Sequence, residues 1–127
     1  MNYKLELKKE VKENIIRQGT DQFSKNCTLD WINSIDKKYT YNFSWLGRPI
    51  IQFPQDIIAM QEIIWQVKPD LIIETGIAHG GSLVFSASML ELQALCGGPA
   101  DGEVLGIDIE IRPQNRKAIE EHPMFRR

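Results

Sequence analysis

The stretch LIIETGIAHGGS, residues 71–82, most constrains what this chain can fold into. Residues 71–74 are almost continuously apolar, which predicts a short strand covered on both faces. Residues 82–95 are apolar almost all round, which predicts a buried helix. The glycines between them indicate either a plain strand-to-helix turn or a turn whose backbone passes close to a ligand.

The flanking segments continue this alternation of helix and strand. Pro54 suits the first turn of a helix, and Pro69 ends that helix. Residues 103–109 predict a second buried strand, and a further helix follows Pro113. The order helix, strand, helix, strand, helix predicts an α/β fold with a parallel sheet.

The first 44 residues predict a helical arm. Residues 4–17 place apolar side chains at helical spacing, so we expect an amphipathic helix that ends near Gly19. A second, short helix is predicted near residues 28–36, with Thr28 as its N-cap. The role of the arm is either packing or an oligomer contact.

Residues 45–54, WLGRPIIQFP, predict an irregular, aromatic-rich loop, because one glycine and two prolines oppose regular structure. Trp45 and Phe53 are expected to pack in the core or a lid, or else to line a ligand cleft. We therefore divide the chain into the arm, residues 1–44, and an α/β domain, residues 45–127.

The composition excludes several kinds of partner. The 127 residues include fifteen Lys and Arg against seventeen Asp and Glu, a net charge of −2, which gives no reason to expect nucleic acid or a membrane surface. No stretch approaches the length of a membrane helix. Cys27 and Cys96 form neither a metal spacing nor a disulfide framework, and free thiols indicate a cytoplasmic protein.

Two signals are predicted to meet at one edge of the sheet. Ligands of open parallel sheets bind beyond the carboxyl ends of the strands, where the glycine turn and Asp108 both fall. A helix that begins there offers free N–H groups and a positive dipole end. Because an acid at the tip of the neighbouring strand accepts hydrogen bonds from ribose hydroxyls, the pattern favours a nucleoside ligand.

The spacing opposes two common nucleotide motifs. Ala78, between Gly76 and Gly80, spoils the dinucleotide fingerprint, and no lysine follows the glycines as it does in a phosphate loop. Glu74 would repel a diphosphate. An acid at that point suits a ligand with a positive centre, such as the amino group of a methionyl moiety.

The stretch ETGIAHGGS resembles the E-x-G-x-x-x-G-x-S motif of S-adenosylmethionine-dependent methyltransferases of the catechol O-methyltransferase type. More narrowly, the blocks WLGRPIIQFPQD, LIIETGIAHGGS and VLGIDIEIR, in this order, resemble the cephalosporin hydroxylase and rhamnosyl O-methyltransferase family. The resemblance covers about residues 40–127. It implies the N-terminal half of a Rossmann-like class I methyltransferase fold, with a doubly wound parallel sheet.

The resemblance also implies roles for the residues of the turn. Glu74 lies near the methionyl amino group or organises the turn. Gly76 and Gly80 let the backbone pass the cofactor, and Ala78 fills a place often held by glycine. His79 touches the cofactor or the substrate.

The remaining implied roles concern the two ends of the site. Ser82 holds the methionyl carboxylate, and Asp108 binds the ribose hydroxyls. The metal-binding acids and later active-site residues of the family lie further along than Arg127. The sequence therefore identifies no catalytic base and no metal ligand, and a divalent metal would need residues beyond this segment.

The activity implied by the resemblance is methyl transfer from S-adenosylmethionine to an oxygen of a sugar or small metabolite, by in-line displacement at the sulfonium carbon. Two alternatives stay open: a non-catalytic nucleoside-binding or assembly module, and a nicotinamide-dependent oxidoreductase, which the broken glycine pattern disfavours. A hydroxylase site is not visible, since neither His79 nor His122 has a carboxylate partner at iron-triad spacing.

Two strands are too few to cover the apolar faces of this sheet and of the helix at residues 82–95. We therefore expect residues 1–127 either to belong to a longer chain or to associate as a homo-oligomer. The segment alone is expected to transfer no methyl group.

Overall fold

A computed structural model describes residues 2–35 and 38–126. The chain divides into two compact units, residues 1–37 and residues 38–127, which are described separately. The boundary between residues 44 and 45 stays a prediction.

The first unit contains two helices, α1 (Tyr3–Thr20) and α2 (Gln22–Ser34). Neither helix buries a residue. Asp21 separates them, and its carboxylate accepts hydrogen bonds from the N–H groups of Phe23 at 3.2 Å and Ser24 at 3.4 Å. Asp21 is therefore the N-cap of α2.

The prediction that Thr28 is the N-cap of the second helix is wrong. Thr28 lies inside α2, and its hydroxyl donates to the Ser24 carbonyl at 2.8 Å. The second helix begins six residues earlier than predicted because the acid at position 21 satisfies the free N–H groups of its first turn. Residue 36 of the predicted helix lies outside the described residues.

A β-hairpin replaces most of the loop predicted over residues 45–54. Strand β1 (Phe43–Trp45) pairs antiparallel with β2 (Arg48–Ile50). Leu46 and Gly47 form the turn with φ of 44° and 84°, the positive values of a type I′ hairpin. The prediction is wrong because this glycine makes the turn of a strand pair, and a proline is tolerated in an edge strand.

The predicted alternation of helices and strands is confirmed in the rest of the chain. The elements are α3 (Pro54–Val67), β3 (Leu71–Thr75), α4 (Gly81–Leu95), β4 (Glu103–Ile107), α5 (Pro113–Glu120) and a final 3₁₀ helix at Pro123–Arg126. Strands β3 and β4 pair in parallel, with Ile73 beside Leu105. Pro54 and Pro113 each stand in the first turn of a helix, as predicted.

The core of the second unit is built on α4 and the hairpin. Its buried cluster contains Ile50, Ile64, Phe85 and Met89. Trp45 packs edge-on to Phe85, with ring centroids 5.0 Å apart, and its indole N–H donates to the Ser88 hydroxyl at 2.9 Å. Trp45 is therefore a half-buried residue that packs against the core.

Within the described residues one face of the parallel sheet is covered and the other is open, as expected for a sheet of only two strands. Ile72 and Val104 are partly buried on the α4 side. The alternate side chains are about half exposed: Leu71 47%, Ile73 58%, Leu105 49% and Ile107 48%. We call these four side chains the open sheet face.

Helix α4 is also less completely covered than its sequence predicts. Nine of its residues are buried, but Leu92 and Leu95, near its C-terminal end, are exposed.

Candidate functional site

The glycine loop, residues 76–81, lies beyond the carboxyl ends of β3 and β4, as predicted. The Gly76 N–H donates to the Ile107 carbonyl at 2.8 Å, so the loop begins tied to the end of β4. One residue further, Asp108 Oδ2 accepts a hydrogen bond from the Ile77 N–H at 2.9 Å. The acid after the second strand and the loop after the first are therefore in direct contact.

Three residues of the glycine loop have left-handed backbone conformations. The φ values are +80° at Gly76, +44° at Ala78 and +80° at Gly80. A Cβ on Gly76 would meet nothing within 4 Å, so the space beside this residue is open and its φ alone favours glycine. A Cβ on Gly80 would collide with the side chain of Ile119 on α5.

Two further glycines bring neighbouring elements close to the loop. A Cβ on Gly81 would lie 2.8 Å from Ile50 Cα and closer still to the Pro49 carbonyl, both backbone atoms of β2. A Cβ on Gly106 would lie 2.8 Å from Leu83 Cδ1 on α4. Neither glycine has a role predicted from the sequence, although a glycine inside an apolar strand is itself a signal of close approach.

Glu74 and Ser82 contact each other across the loop. Ser82 lies in the first turn of α4, and its hydroxyl donates to Glu74 Oε1. Burial raises the pKa of Glu74 above its ordinary 4.5, and the hydrogen bond from Ser82 opposes that shift. A desolvated carboxylate favours a nearby positive group, which compensates for lost water.

Asp108 has the opposite electrostatic character. Backbone N–H donors, first that of Glu110 and then that of Ile77, lower the pKa of Asp108 below its ordinary 3.8. The carboxylate is therefore ionised at neutral pH. Two hydrogen bonds reach this carboxylate, from the Ile77 N–H at 2.9 Å and the Glu110 N–H at 3.3 Å, which is about half of the roughly four acceptor positions of an ionised carboxylate.

Arg48 and Asn115 also contact the glycine loop, and neither residue was predicted from the sequence. Arg48, on β2, donates to the His79 carbonyl through Nε at 3.1 Å and through Nη2. Asn115 Nδ2, on α5, donates to the Ala78 carbonyl at 2.9 Å, and its Oδ1 lies 3.4 Å from His79 Nδ1. The sequence offers no signal for these contacts beyond the position of Arg48 in the WLGRP block.

His122 has a structural position outside the loop. Its Nδ1 accepts from the Met124 N–H at 3.1 Å, so its Nε2 is the nitrogen that donates to the Leu46 carbonyl at 3.0 Å. This bond joins the hairpin turn to the segment that follows α5.

An apolar cavity of about 250 Å³ lies between α4, β4 and α5. Its lining includes Ile77 and Ile119 but none of Glu74, Ser82 or Asp108. We therefore locate the candidate site at the polar groups around the glycine loop.

Two observations concern the described residues as a whole. Among residues 2–35 and 38–126, no three His, Cys, Asp or Glu side chains are grouped so that they would hold a metal ion. In the same ranges, no helix has both the length and the apolar content needed to cross a membrane.

A parallel strand–helix–strand unit, with a glycine loop after the first strand and an acid after the second, defines the Rossmann-like class of nucleoside-binding folds. Residues 37–127 match the rhamnosyl O-methyltransferase/CmcI family, and the chain belongs to this family. The resemblance stated from the sequence is therefore confirmed. Helices α1 and α2 lie outside the matched residues.

The chain is similar to one solved structure, described as "cmcI-N160 SAH", with 22% sequence identity and a TM-score of 0.48. The similarity covers 68% of this chain and 46% of that protein, so the chain spans less than half of that protein's length. No curated protein matches the chain.

Proposed function

We propose that this chain provides the cofactor-binding part of an S-adenosylmethionine-dependent O-methyltransferase. The observation that carries the proposal is the pair of acids around the glycine loop. Glu74, on one side, is desolvated and favours a positive group, while Asp108, on the other, is ionised. Membership of the rhamnosyl O-methyltransferase/CmcI family supports the same conclusion.

The groups around the loop fit the parts of this cofactor. Glu74 attracts the methionyl ammonium group, and the first turn of α4, at Ser82, faces the methionyl carboxylate. Gly76, with open space beside it, lets the backbone pass close to the ligand. Asp108 accepts the ribose hydroxyls with the acceptor positions that the loop leaves unused.

When bound, S-adenosylmethionine supplies a methyl group on a positively charged sulfur. The chain contributes binding and orientation, which are large terms in a displacement reaction. We propose that His79 contacts the cofactor or the acceptor. Its Nδ1 lies 3.4 Å from Asn115 Oδ1, an acceptor, so Nδ1 is the ring nitrogen that donates to this oxygen. We further propose a hydroxyl of a sugar or small metabolite as the acceptor.

Calorimetric titration of the full chain with S-adenosylhomocysteine and, separately, with NADH tests the ligand. We expect saturable binding of the first and none of the second. Binding of NADH alone would favour an oxidoreductase instead. Methyl transfer by the same protein would identify it as an enzyme, whereas binding without turnover is the behaviour expected of this segment alone.

A further inference from the structure

Two side chains contact the glycine loop, one from an element before it in the sequence and one from an element after it. Arg48 belongs to β2, which precedes the loop, and Asn115 belongs to α5, which follows it. They donate hydrogen bonds to the consecutive carbonyls of His79 and Ala78, respectively. Both contacts span more than 30 residues, since the separations are 31 and 37.

These bonds fix the direction of two neighbouring peptide groups. A peptide unit is planar and trans, so holding its carbonyl also orients its N–H on the opposite side. The Ala78 carbonyl shares a peptide with the His79 N–H, and the His79 carbonyl shares one with the Gly80 N–H. The Gly80 N–H in turn donates to the Ile77 carbonyl at 2.7 Å.

The held segment needs such support. Ala78 has a φ of +44°, a region that residues other than glycine seldom adopt. Conformations of this kind persist when surrounding contacts over-determine them. The donors from Arg48 and Asn115 supply those contacts from two separate elements.

Arg48 is suited to this role by its geometry and its charge. Its Nε and Nη2 converge on a single carbonyl oxygen, which fixes that oxygen more firmly than one donor would. Among residues 2–35 and 38–126, no ion pair includes Arg48. The charge is therefore directed at the loop and is not neutralised by a carboxylate.

We propose that Arg48 and Asn115 are positioning residues that hold the glycine loop in its ligand-binding conformation before the cofactor arrives. The proposal rests on the proposed function, because the ligand is the cofactor named there. Neither residue needs to touch the cofactor. A loop ordered in advance loses less conformational freedom on binding, which increases affinity.

The test uses the full chain with Arg48→Gln and Asn115→Asp, which keep the approximate size of each side chain but weaken or remove its donors. For each variant, the Kd for S-adenosylhomocysteine is measured by calorimetry, and we expect it to rise at least about tenfold. Arg48→Lys, which keeps the charge but not the fork, should recover part of the loss.

Trp45→Phe is the matched control. It removes the hydrogen bond from Trp45 to Ser88, which also joins the hairpin to α4 but does not contact the loop. It should lower the melting temperature and leave the Kd unchanged. If Trp45→Phe raises the Kd as much as Arg48→Gln does, general damage to the hairpin explains the effect and the positioning role is overturned.

Amide hydrogen exchange in the ligand-free chain provides a readout that does not depend on the cofactor. The Gly80 amide, which is hydrogen-bonded to the Ile77 carbonyl, should exchange at least about tenfold faster in Arg48→Gln and Asn115→Asp than in Trp45→Phe. Unchanged exchange and an unchanged Kd in both variants would overturn the proposal. If the unaltered chain fails to bind S-adenosylhomocysteine, the proposed function falls, whereas the exchange rates still decide whether these residues hold the loop.

Discussion

At Glu74, burial and hydrogen bonding act in opposite directions on one carboxyl group, and burial is the larger effect. The pKa of Glu74 is therefore higher in the folded chain than in the unfolded chain. A raised pKa means that the contribution of this group to stability is present at low pH and is lost as pH rises through the raised value. We expect Glu74→Gln to increase the free energy of unfolding at pH 7 and to leave it nearly unchanged at pH 4.

The same substitution should weaken cofactor binding, because a neutral amide no longer attracts the methionyl ammonium. We expect the Kd for S-adenosylhomocysteine at pH 7 to rise about tenfold, or about 1.4 kcal/mol. Urea unfolding at the two pH values and calorimetry measure both effects. Glu62→Gln, at an exposed position on α3, is the control and should change neither. Lower stability together with undiminished affinity would contradict this account of Glu74.

Asp108 is predicted to bind the ribose and also to support the loop through the Ile77 N–H. Asp108→Ala removes both carboxylate oxygens and therefore both roles, so we expect the Kd for S-adenosylhomocysteine to rise by at least about tenfold. Asp108→Asn keeps one acceptor oxygen and should retain more of the affinity. The pKa of Asp108 is lowered and that of Glu74 is raised, so Glu74 is the group expected to change protonation between pH 4.5 and 7. Any change in Kd across this pH range should therefore vanish in Glu74→Gln and persist in Asp108→Asn. Unchanged affinity in a folded Asp108→Ala variant would remove Asp108 from the site.

Gly76 combines a φ of +80° with open space at the Cβ position. From the sequence, this glycine is predicted to leave space for the ligand, and its positive φ adds a conformational reason. We expect Gly76→Ala to lower the free energy of unfolding by about 1 kcal/mol through backbone strain. Gly76→Val should also block the cofactor, because its branched side chain occupies the open space. Gly19→Ala in α1 is the control, and normal binding by Gly76→Val would reduce the loop to a structural connector.

At the scale of elements, Gly81 determines how closely the hairpin approaches α4. A Cβ there would meet the backbone of Pro49 and Ile50, which cannot rotate away as a side chain can. We expect Gly81→Ala to lower the free energy of unfolding by about 1–3 kcal/mol, the usual range for overpacking. Since Gly81 has no positive φ, its cost is steric, and it should exceed that of Gly76→Ala in parallel urea titrations. The reverse order would show that the hairpin yields easily.

The elements that the sequence predicts well are those with a clear apolar pattern. Helices α3 and α4 and strands β3 and β4 follow their predicted ranges closely, because continuous or periodic apolar runs specify burial locally. The hairpin was missed because its glycine and proline also fit a loop. Whether this stretch forms a hairpin or a loop depends on the contact of β2 with α4, whose residues are far apart in the chain.

The same distinction applies to the candidate site. The seven residues predicted for the site lie at the glycine loop or at the ends of its flanking elements. This follows because one short stretch and one strand tip contain them all. Arg48 and Asn115 were not predictable, because their partners lie 31 and 37 residues away and their type carries no special signal. The donor from Ser82 to Glu74 was missed although both residues belong to the motif, because a spacing does not specify which groups bond.

At the scale of the whole molecule, the open sheet face decides how the 127-residue polypeptide behaves in solution. On the side of the sheet away from α4, Ile73 and Leu105 form a directly adjacent pair, and Leu71 and Ile107 are diagonal neighbours of that pair. Contiguous apolar patches of this kind promote association. We expect a polypeptide of residues 1–127 to elute as a species larger than its 14.6 kDa monomer, or to bind a hydrophobic dye.

Substitution of the open sheet face tests the cause. Threonine is polar but favours strands, so Ile73→Thr combined with Leu105→Thr should reduce association and dye binding while the parallel pairing persists. Leu95→Gln, at an exposed position near the end of α4, removes apolar surface elsewhere and should have little effect. Light scattering and dye fluorescence compare the three proteins at equal concentration. If the unaltered polypeptide is a monomer that binds no dye and unfolds cooperatively, the exposed strand residues do not drive association. If Leu95→Gln acts as strongly as the double variant, the effect does not belong to the sheet.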